Sequence, residues 1–137
     1  MWIPFYLSLV SEAYAAIGQL DDAWRCIGEA TTAIQTTKEN WCEAEVHRVA
    51  GEIALMSPDL DAAKAEAHFE HALAIAREQQ AKSWELRAAM SMARLWRDQG
   101  KRQQAHDLLA PVYGWFTEGF DTLDLKEAEA LLEQLTA

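Results

Sequence analysis

The chain has 137 residues, half of them apolar and a quarter charged, and its formal net charge is −10. This length suffices for one domain with its own core, and the composition excludes a disordered or a fibrous chain. The negative charge disfavours binding to nucleic acid or to an anionic membrane. No apolar stretch reaches the length of a membrane span, and the opening residues lack the basic segment of a signal peptide. We therefore expect residues 1–137 to form a single cytoplasmic domain.

Apolar residues recur at helical spacing along the whole chain, and short segments with Gly, Pro, Ser or Asp separate the periodic stretches. The pattern predicts an all-α fold with helices at residues 4–17, 21–36, 40–56, 61–80, 83–99 and 102–116. A seventh amphipathic helix is predicted at about 122–135. In a stack of helices, such a terminal helix covers the open face of the last pair.

Several residues indicate where the helices begin. Asp61 and Ser83 are predicted N-caps, because a short polar side chain there can accept a hydrogen bond from the first helical turn. Thr122 or Asp124 is expected to cap the last helix. Pro111 lies inside the predicted sixth helix, where it removes one backbone donor and is expected to produce a kink.

Two segments of the chain share one series of residues with identical spacing. The series is aromatic, Gly, Ala, aliphatic and small or β-branched, and it consists of Tyr14, Gly18, Ala23, Ile27 and Ala30 in one segment and Trp96, Gly100, Ala105, Leu109 and Val112 in the other. Glycine suits a tight turn between helices, and alanine suits a close helix crossing. The chain therefore divides into helix pairs at about 4–36, 40–80 and 83–116, with a longer turn at 57–61 in the middle pair.

This series resembles the second half of the tetratricopeptide-repeat (TPR) pattern. Residues 83–89 (SWELRAA), 93–100 (ARLWRDQG), 108–122 (LLAPVYGWFTEGFDT) and 125–128 (LKEA) are similar to the C-terminal TPR region of large bacterial regulators. Those regulators carry an AAA-type ATPase module and often a class III adenylate/guanylate cyclase or a DNA-binding domain. The resemblance implies a TPR-like helical-hairpin solenoid of three helix pairs plus a capping helix.

The resemblance also implies a regulatory or sensing role within a larger signalling ATPase or cyclase-like protein. The sequence has neither a Gly-rich phosphate loop followed by Lys and Ser/Thr nor the paired metal-binding aspartates of a cyclase. We therefore expect a protein–protein interaction module and not an enzyme.

The histidines and cysteines are the remaining candidates for chemistry. His68 and His71 lie one helical turn apart, and His47 lies four residues after Glu43. Zinc needs three or four converging ligands, and each of these pairs stands alone. We expect no metal and no cofactor. Cys26 and Cys42 belong to no CxxC-like motif and are expected to be buried, reduced thiols.

In a TPR solenoid the first helix of each pair lines a concave groove. The repeat register assigns to this groove Phe5, Ser8, Leu9, Glu12, Ala44, His47, Arg48, Gly51, Arg87, Met90, Ser91, Arg94 and Arg97. The groove thus receives four of the seven arginines of an acidic chain. The predicted partner-binding residues are His47, Arg48, Arg87, Met90, Arg94 and Arg97.

Arginine suits bidentate recognition of carboxylates or phosphates, so the expected partner is a protein or peptide with acidic groups. The alternative is that these arginines form structural ion pairs with Glu43, Glu52 or Glu85. The domain would then serve as an intramolecular or self-association scaffold with no separate ligand.

The N-terminal segment favours self-association. It contains Trp2, Ile3, Phe5, Tyr6, Leu9 and Val10, which is more apolar than the end of a helix stack should be. We therefore predict a homodimer in which the first helix of one copy packs against the other copy.

Overall fold

The computed structural model describes residues 3–37, 40–56, 61–120 and 122–136. In this part of the chain it contains helices and no strand, which confirms the predicted all-α class. The helices are α1 (Ile3–Ala16), α2 (Leu20–Thr37), α3 (Glu43–Met56), α4 (Ala62–Glu78), α5 (Lys82–Asp98), α6 (Arg102–Trp115) and α7 (Leu123–Thr136). None of them is long and apolar enough to cross a membrane. Trp2, the side chain of Ile3 and most of the predicted turn at 57–61 lie outside the described residues.

The helix starts agree with the sequence in some places and differ in others. Asp61 caps α4 as predicted, because its Oδ1 accepts a hydrogen bond of 2.9 Å from the backbone N–H of Lys64. The prediction for Ser83 is wrong, since the N-cap of α5 is Ala81 and Ser83 lies inside the first turn. The third helix begins at Glu43 and not at residue 40, after a short turn.

The tight turns inside the first and third helix pairs are the glycine turns that the sequence predicts. Gly18 and Gly100 have φ values of +84° and +81°, a region in which a side chain would be strained. The residue after each glycine closes the turn. Gln19 N–H donates to Tyr14 O, and Lys101 N–H donates to Trp96 O, both at 2.8 Å. The aromatic and Gly positions of the repeat therefore form the same turn twice.

Short connections join α1 to α2, α3 to α4 and α5 to α6, so each pair forms an antiparallel hairpin. The odd-numbered helices contact one another in succession, α1 on α3, α3 on α5 and α5 on α7, and form one layer. On the other side of this layer, α2, α4 and α6 each pack against two successive odd-numbered helices. We call the side of the odd-numbered layer that faces away from α2, α4 and α6 the inner surface.

The core consists of two clusters of buried side chains. One joins α1, α2 and α3, and the other extends from α3 to α7. Ala23 and Ala105 are fully buried, as expected for close helix crossings. Gly51 marks another close crossing, because a Cβ atom at this position would overlap the ring of Phe69 in α4. The sequence assigned Gly51 to the groove, and the structure places it against α4 instead.

In the last part of the chain, the sixth and seventh helices lie where the sequence predicts them. Pro111 lies inside α6, which continues to Trp115. Gly119 turns the chain with φ of +77° before α7 begins. Thr122 directly precedes that helix, and Asp124 lies in its first turn. The stripe of buried residues on α7 consists of Leu125, Ala128, Leu131 and Leu135.

Candidate functional site

The inner surface carries two neighbouring depressions that meet at Arg94. The first lies between α1, α3 and α5, has a volume of about 320 Å³ and includes Arg48, Glu12 and Glu52. The second lies between α5 and α7, has a volume of about 200 Å³ and includes Arg97 and Glu127. Arg48, Arg94 and Arg97, which the repeat register assigned to the groove, line these depressions.

Arg48 is buried in the floor of the first depression and is held by several acceptors. Its Nε donates to Glu45 Oε1 at 2.7 Å, and its Nη2 donates to Glu12 Oε1 at 3.1 Å. Its Nη1 donates to the hydroxyl of Ser91 at 3.3 Å. Burial alone would lower the pKa of Arg48, but the hydrogen bond and charge of Glu45, with the charges of Glu12 and Glu52, raise it above its ordinary value.

Glu45 is the centre of this cluster. Its side chain is almost fully buried, with 1% exposed, and its second oxygen lies 3.0 Å from Nη1 of Arg87. Arg87 in turn reaches towards Asp124 of α7, at 3.9 Å. A chain of charges thus crosses the layer from α1 through α3 and α5 to α7. We call Glu45 and Arg48, whose side chains are 1% and 9% exposed, the buried charge cluster.

Sequence reasoning missed Glu45 and named Glu43, Glu52 and Glu85 as the possible arginine partners. Of these, Glu52 does lie 3.8 Å from Arg48. Glu85 belongs to a different cleft, in which it pairs with Arg77 and Lys82, each at 3.2 Å. The signal that could have identified Glu45 is its position three residues before Arg48, one helical turn away on the same face.

Arg94 and Arg97 are more accessible than the buried charge cluster. Nη2 of Arg94 lies 3.4 Å from Glu127 Oε2, and the two side chains are 38% and 45% exposed. Arg97 donates to Asp98 at 3.1 Å and to the side-chain oxygen of Gln134 at 2.8 Å. Every arginine predicted to line the groove therefore has an acidic neighbour within the described residues. This agrees with the alternative of structural ion pairs. Of the three predicted partners, Glu43, Glu52 and Glu85, only Glu52 is among these neighbours.

Two residues of the predicted binding set lie elsewhere. Met90 is 2% exposed and belongs to the larger core cluster, so it cannot contact a partner in the groove. The ring of His47 faces α4, where it stacks on His71 with a centroid distance of 4.2 Å and an interplanar angle of 10°. His47 is therefore not at the edge of the arginine surface.

The structure brings together three histidines that the sequence treated as separate pairs. The ring of His68 lies 6.1 Å from that of His47 and 6.3 Å from that of Trp24 in α2. Burial, followed by the charges of His71 and His68, lowers the pKa of His47 from 6.5 to about 4. Burial and the charge of Lys64 also lower the pKa of His68.

Neither these histidines nor any other group of His, Cys, Asp and Glu in the described residues is placed so as to hold a metal ion. Cys26 and Cys42 are buried and are not joined by a disulfide, which agrees with the expectation for reduced thiols. Burial raises the pKa of the Cys42 thiol to about 11. This thiol is therefore protonated, and unreactive as a nucleophile, at neutral pH.

A larger cleft lies on another part of the molecule, has a volume of about 690 Å³ and is lined by Arg77, Lys82, Glu85 and Trp115 among others. Its two cations already share the carboxylate of Glu85, which is 5% exposed. The cleft thus has two cations and one carboxylate in its wall, and one exposed aromatic side chain, that of Trp115.

Comparison of the chain with known protein families, with curated proteins and with solved structures finds no match. The structure defines an all-α protein of stacked helix pairs, with a layer of alternate helices that carries arginines and carboxylates on its inner surface.

Proposed function

We propose that this protein is a protein–protein interaction module that binds a segment of a partner along the inner surface. The architecture proposed is a TPR-like solenoid of three helix pairs with α7 as the capping helix. Its support is the succession of odd-numbered helices in one layer and the repeated glycine turn at Gly18 and Gly100. An extended or helical peptide fits such a surface.

The observation that carries the proposal is the state of Arg94 and Arg97. Both line the depression between α5 and α7, whose lining includes one carboxylate, that of Glu127; Asp98, the partner of Arg97, is not part of the lining. Exposed ion pairs such as Arg94–Glu127 contribute little to stability, so an acidic group of a partner can replace Glu127 at small cost. This end of the surface suits an acidic partner.

The other end of the surface has a different role. The depression between α1, α3 and α5 contains Arg48 and Arg94 together with Glu12 and Glu52, so its formal charges cancel. Arg48 and Arg87 are engaged by the buried carboxylate of Glu45. We therefore assign these two arginines to the structure of the layer and Arg94 and Arg97 to the partner.

The proposal is tested with a displayed library of acidic peptides, from which the strongest binder is measured against variants. We expect the double variant Arg94→Ala/Arg97→Ala to keep its circular dichroism spectrum and to bind about tenfold more weakly or worse. Wild-type affinity should fall as the salt concentration rises. The matched control is Arg25→Ala/Lys101→Ala, which removes the same charge from exposed positions outside the two depressions. Equal weakening in both double variants, or no binder at all, would contradict the proposal.

We further propose, from the resemblance of residues 83–128, that the module belongs to the regulatory end of a larger signalling ATPase or cyclase-like regulator. This proposal includes that the module binds a partner and does not catalyse a reaction. The reading frame of the gene provides the test. The reading frame should continue upstream into an ATPase module, and a frame without one would contradict the proposal.

The alternative function is a self-association or intramolecular scaffold with no separate ligand. The acidic neighbours of all four arginines favour it, because a guanidinium group that already has a carboxylate partner needs no acidic group from another molecule. Under this alternative the Arg94→Ala/Arg97→Ala variant loses no binding.

A further inference from the structure

The cleft of about 690 Å³ carries an excess of positive charge on an acidic molecule. It lies where the last turn of α4, the first turn of α5 and the last turn of α6 meet. The charged residues of its lining are Arg77, Lys82 and Glu85, so its formal charge is +1, whereas that of the whole chain is −10. The cleft shares no lining residue with the two depressions of the inner surface.

Glu85 holds the two cations at the cleft but cannot neutralise both of them. Its Oε2 lies 3.2 Å from Nε of Arg77, and its Oε1 lies 3.2 Å from Nζ of Lys82. The side chain of Glu85 is 7% exposed, whereas those of Arg77 and Lys82 are 53% and 35% exposed. Within the described residues, Glu85 is the one hydrogen-bond and ion-pair partner of the Arg77 guanidinium. The two terminal amino groups of Arg77 are therefore available for a second carboxylate.

An exposed aromatic ring lies beside these cations. Trp115 is 57% exposed, and Nζ of Lys82 lies 5.5 Å from the centroid of its ring. Phe116 supports the indole in an edge-to-face contact, with a centroid distance of 5.2 Å and an interplanar angle of 86°. A planar apolar group packs favourably on such a ring. The cleft therefore places a surface for an aromatic group next to groups that bind an anion.

The turn before α5 contains a residue in a conformation that favours glycine. Gln80 has a φ value of +55°, and its turn closes through the same pattern of backbone hydrogen bonds as the turns at Gly18 and Gly100. Glycine adopts this conformation without strain, and glutamine does not. Strained residues are concentrated at functional sites, and Gln80 lines the cleft. Its side-chain amide is thus a further polar group for a ligand.

Charge and spacing together select the chemistry of the ligand. An excess charge of +1 matches one carboxylate, whereas a phosphate monoester carries about −1.5 to −2 at neutral pH. Lys82 and the ring of Trp115 are neighbours, so the carboxylate and the aromatic ring of a ligand must be joined directly or through a short linker. The volume of about 690 Å³ is typical of a small-molecule site.

We propose that this cleft binds a small aromatic carboxylate, with its carboxylate at Arg77 and Lys82 and its ring packed on Trp115. Gln80 and Ser83 supply neutral hydrogen-bonding groups in the same lining. The ligand neutralises the positive charge that Glu85 leaves uncompensated. The site is independent of the partner site proposed at the inner surface.

Isothermal titration calorimetry on the full chain tests the proposal with phenylacetate, indole-3-acetate and naphthalene-1-acetate. We expect at least one of them to bind with a dissociation constant of about 1 mM or lower, as is usual for ligands of this size. The neutral amide of the best binder keeps the ring, and acetate keeps the charge, and each should bind at least about tenfold more weakly. No binding by any of the three carboxylates, or equal binding of the amide, would overturn the proposal.

Two variants show whether the best binder occupies this cleft. Lys82→Gln and Trp115→Leu should each keep the circular dichroism spectrum and weaken binding by about tenfold or more. The matched control is Lys126→Gln, which removes the same charge from an exposed residue outside the cleft and should not change the affinity. Wild-type affinity in Lys82→Gln would overturn the proposal. The comparison of the carboxylate with its amide needs no variant, so it decides the matter even if a variant does not fold.

A third variant separates binding from stability. Gln80→Gly relieves the strained conformation, so its thermal unfolding midpoint should rise. Its affinity for the carboxylate should fall by about threefold or more, because the side-chain amide is lost. A residue with a purely structural role would not change the two quantities in opposite directions. Unchanged affinity in Gln80→Gly would overturn the assignment of Gln80 to the site.

The outcomes also separate this proposal from the proposed groove function. The Arg94→Ala/Arg97→Ala variant should bind the aromatic carboxylate like the wild type, because neither arginine lines the cleft. Lys82→Gln should bind the acidic peptide like the wild type, because Lys82 lines neither depression of the inner surface. Either proposal can therefore fail while the other stands.

Discussion

The two ends of the helix stack combine charged and apolar residues in opposite ways. At the N-terminal end, α1 packs against its neighbours through Leu7, Ser8, Ser11 and Tyr14 and exposes Tyr6 and Val10. At the C-terminal end, α7 buries a leucine-rich stripe and exposes acidic residues, namely Glu127, Glu129 and Glu133. A helix like α7 ends a stack, because its outer face is compatible with water. A helix like α1 continues a stack or receives another helix.

The two ends also differ in where the charged groups between the helices lie. Around α1 and α3, the buried charge cluster lies on the inner side of the layer, and the three histidines lie on the side of α2 and α4. Around α6 and α7, the buried side chains are apolar, and Arg94 and Glu127 form their ion pair at the surface. Buried charges need every partner in place, whereas exposed pairs do not. We therefore expect the N-terminal junction to be the more sensitive of the two to loss or protonation of a single group.

The largest effect is expected from Glu45→Gln. This change keeps the shape of the side chain but leaves Arg48 and Arg87 without the buried carboxylate that both contact. Removing one partner from a buried ion pair costs about 3–5 kcal/mol of unfolding free energy. Urea unfolding measures this loss.

The control for this prediction is Glu127→Gln at the other end of the layer. It removes the carboxylate of the exposed pair with Arg94 and should cost less than about 1 kcal/mol. Similar losses in the two variants would mean that burial does not distinguish the two junctions.

Much of the fold was predictable because single residues mark where its helices end and where they cross closely. Gly18 and Gly100 mark turns that require the left-handed backbone conformation, which glycine adopts easily. Ala23 and Ala105 mark close helix crossings. The start of α5 was not predictable in this way. The turn after α4 closes through Ala81 N–H to Ala76 O at 2.8 Å, so the next helix begins at once, before the favourable cap residue Ser83.

The candidate site was predictable only in part. Hydrophobic periodicity shows that a helix has a buried face, but it does not show whether other helices cover further faces of the same helix. In α5, six consecutive residues from Ala88 to Ala93 are buried, because helices pack on several sides of it. Met90 and His47 were therefore assigned to the groove although one lies in the core and the other against α4. Glu45 was missed because a charged residue near the start of a helix is normally exposed.

After Glu45→Gln, the second-largest effect is expected from acid, through His47. The pKa of His47 is lowered from 6.5 to about 4 in the folded protein, so the folded state binds fewer protons than the unfolded state between these values. The stability that the neutral imidazole of His47 contributes is therefore complete above pH 6.5 and is lost as the pH falls towards 4, by up to about 3 kcal/mol. Protonation of His47 places its charge beside His71 and His68.

Hydrogen exchange resolved along the chain checks this prediction, and amides of α2 and α3 should lose protection before those of α6 and α7. In His47→Gln, this early loss should shrink, because the group that takes up the proton is absent. The matched control is His106→Gln in α6, which should leave the order of loss unchanged. Acid unfolding that begins in α6 and α7 would contradict the proposed sensitivity of the N-terminal junction.

The smallest effect is expected from replacing glycine by alanine in α2, near the N-terminal end of the stack, and in α6, near its C-terminal end. Gly28 lies in the interior of α2, and a Cβ atom there would meet no other atom within 4 Å. Gly28→Ala should therefore add about 0.5–1 kcal/mol, because alanine costs less entropy in a helix interior. Gly114 is equally uncrowded but lies in the last turn of α6, so Gly114→Ala should add less. Thermal unfolding of dilute protein compares the two. A loss of stability in Gly28→Ala would contradict the open space that the structure shows around this position.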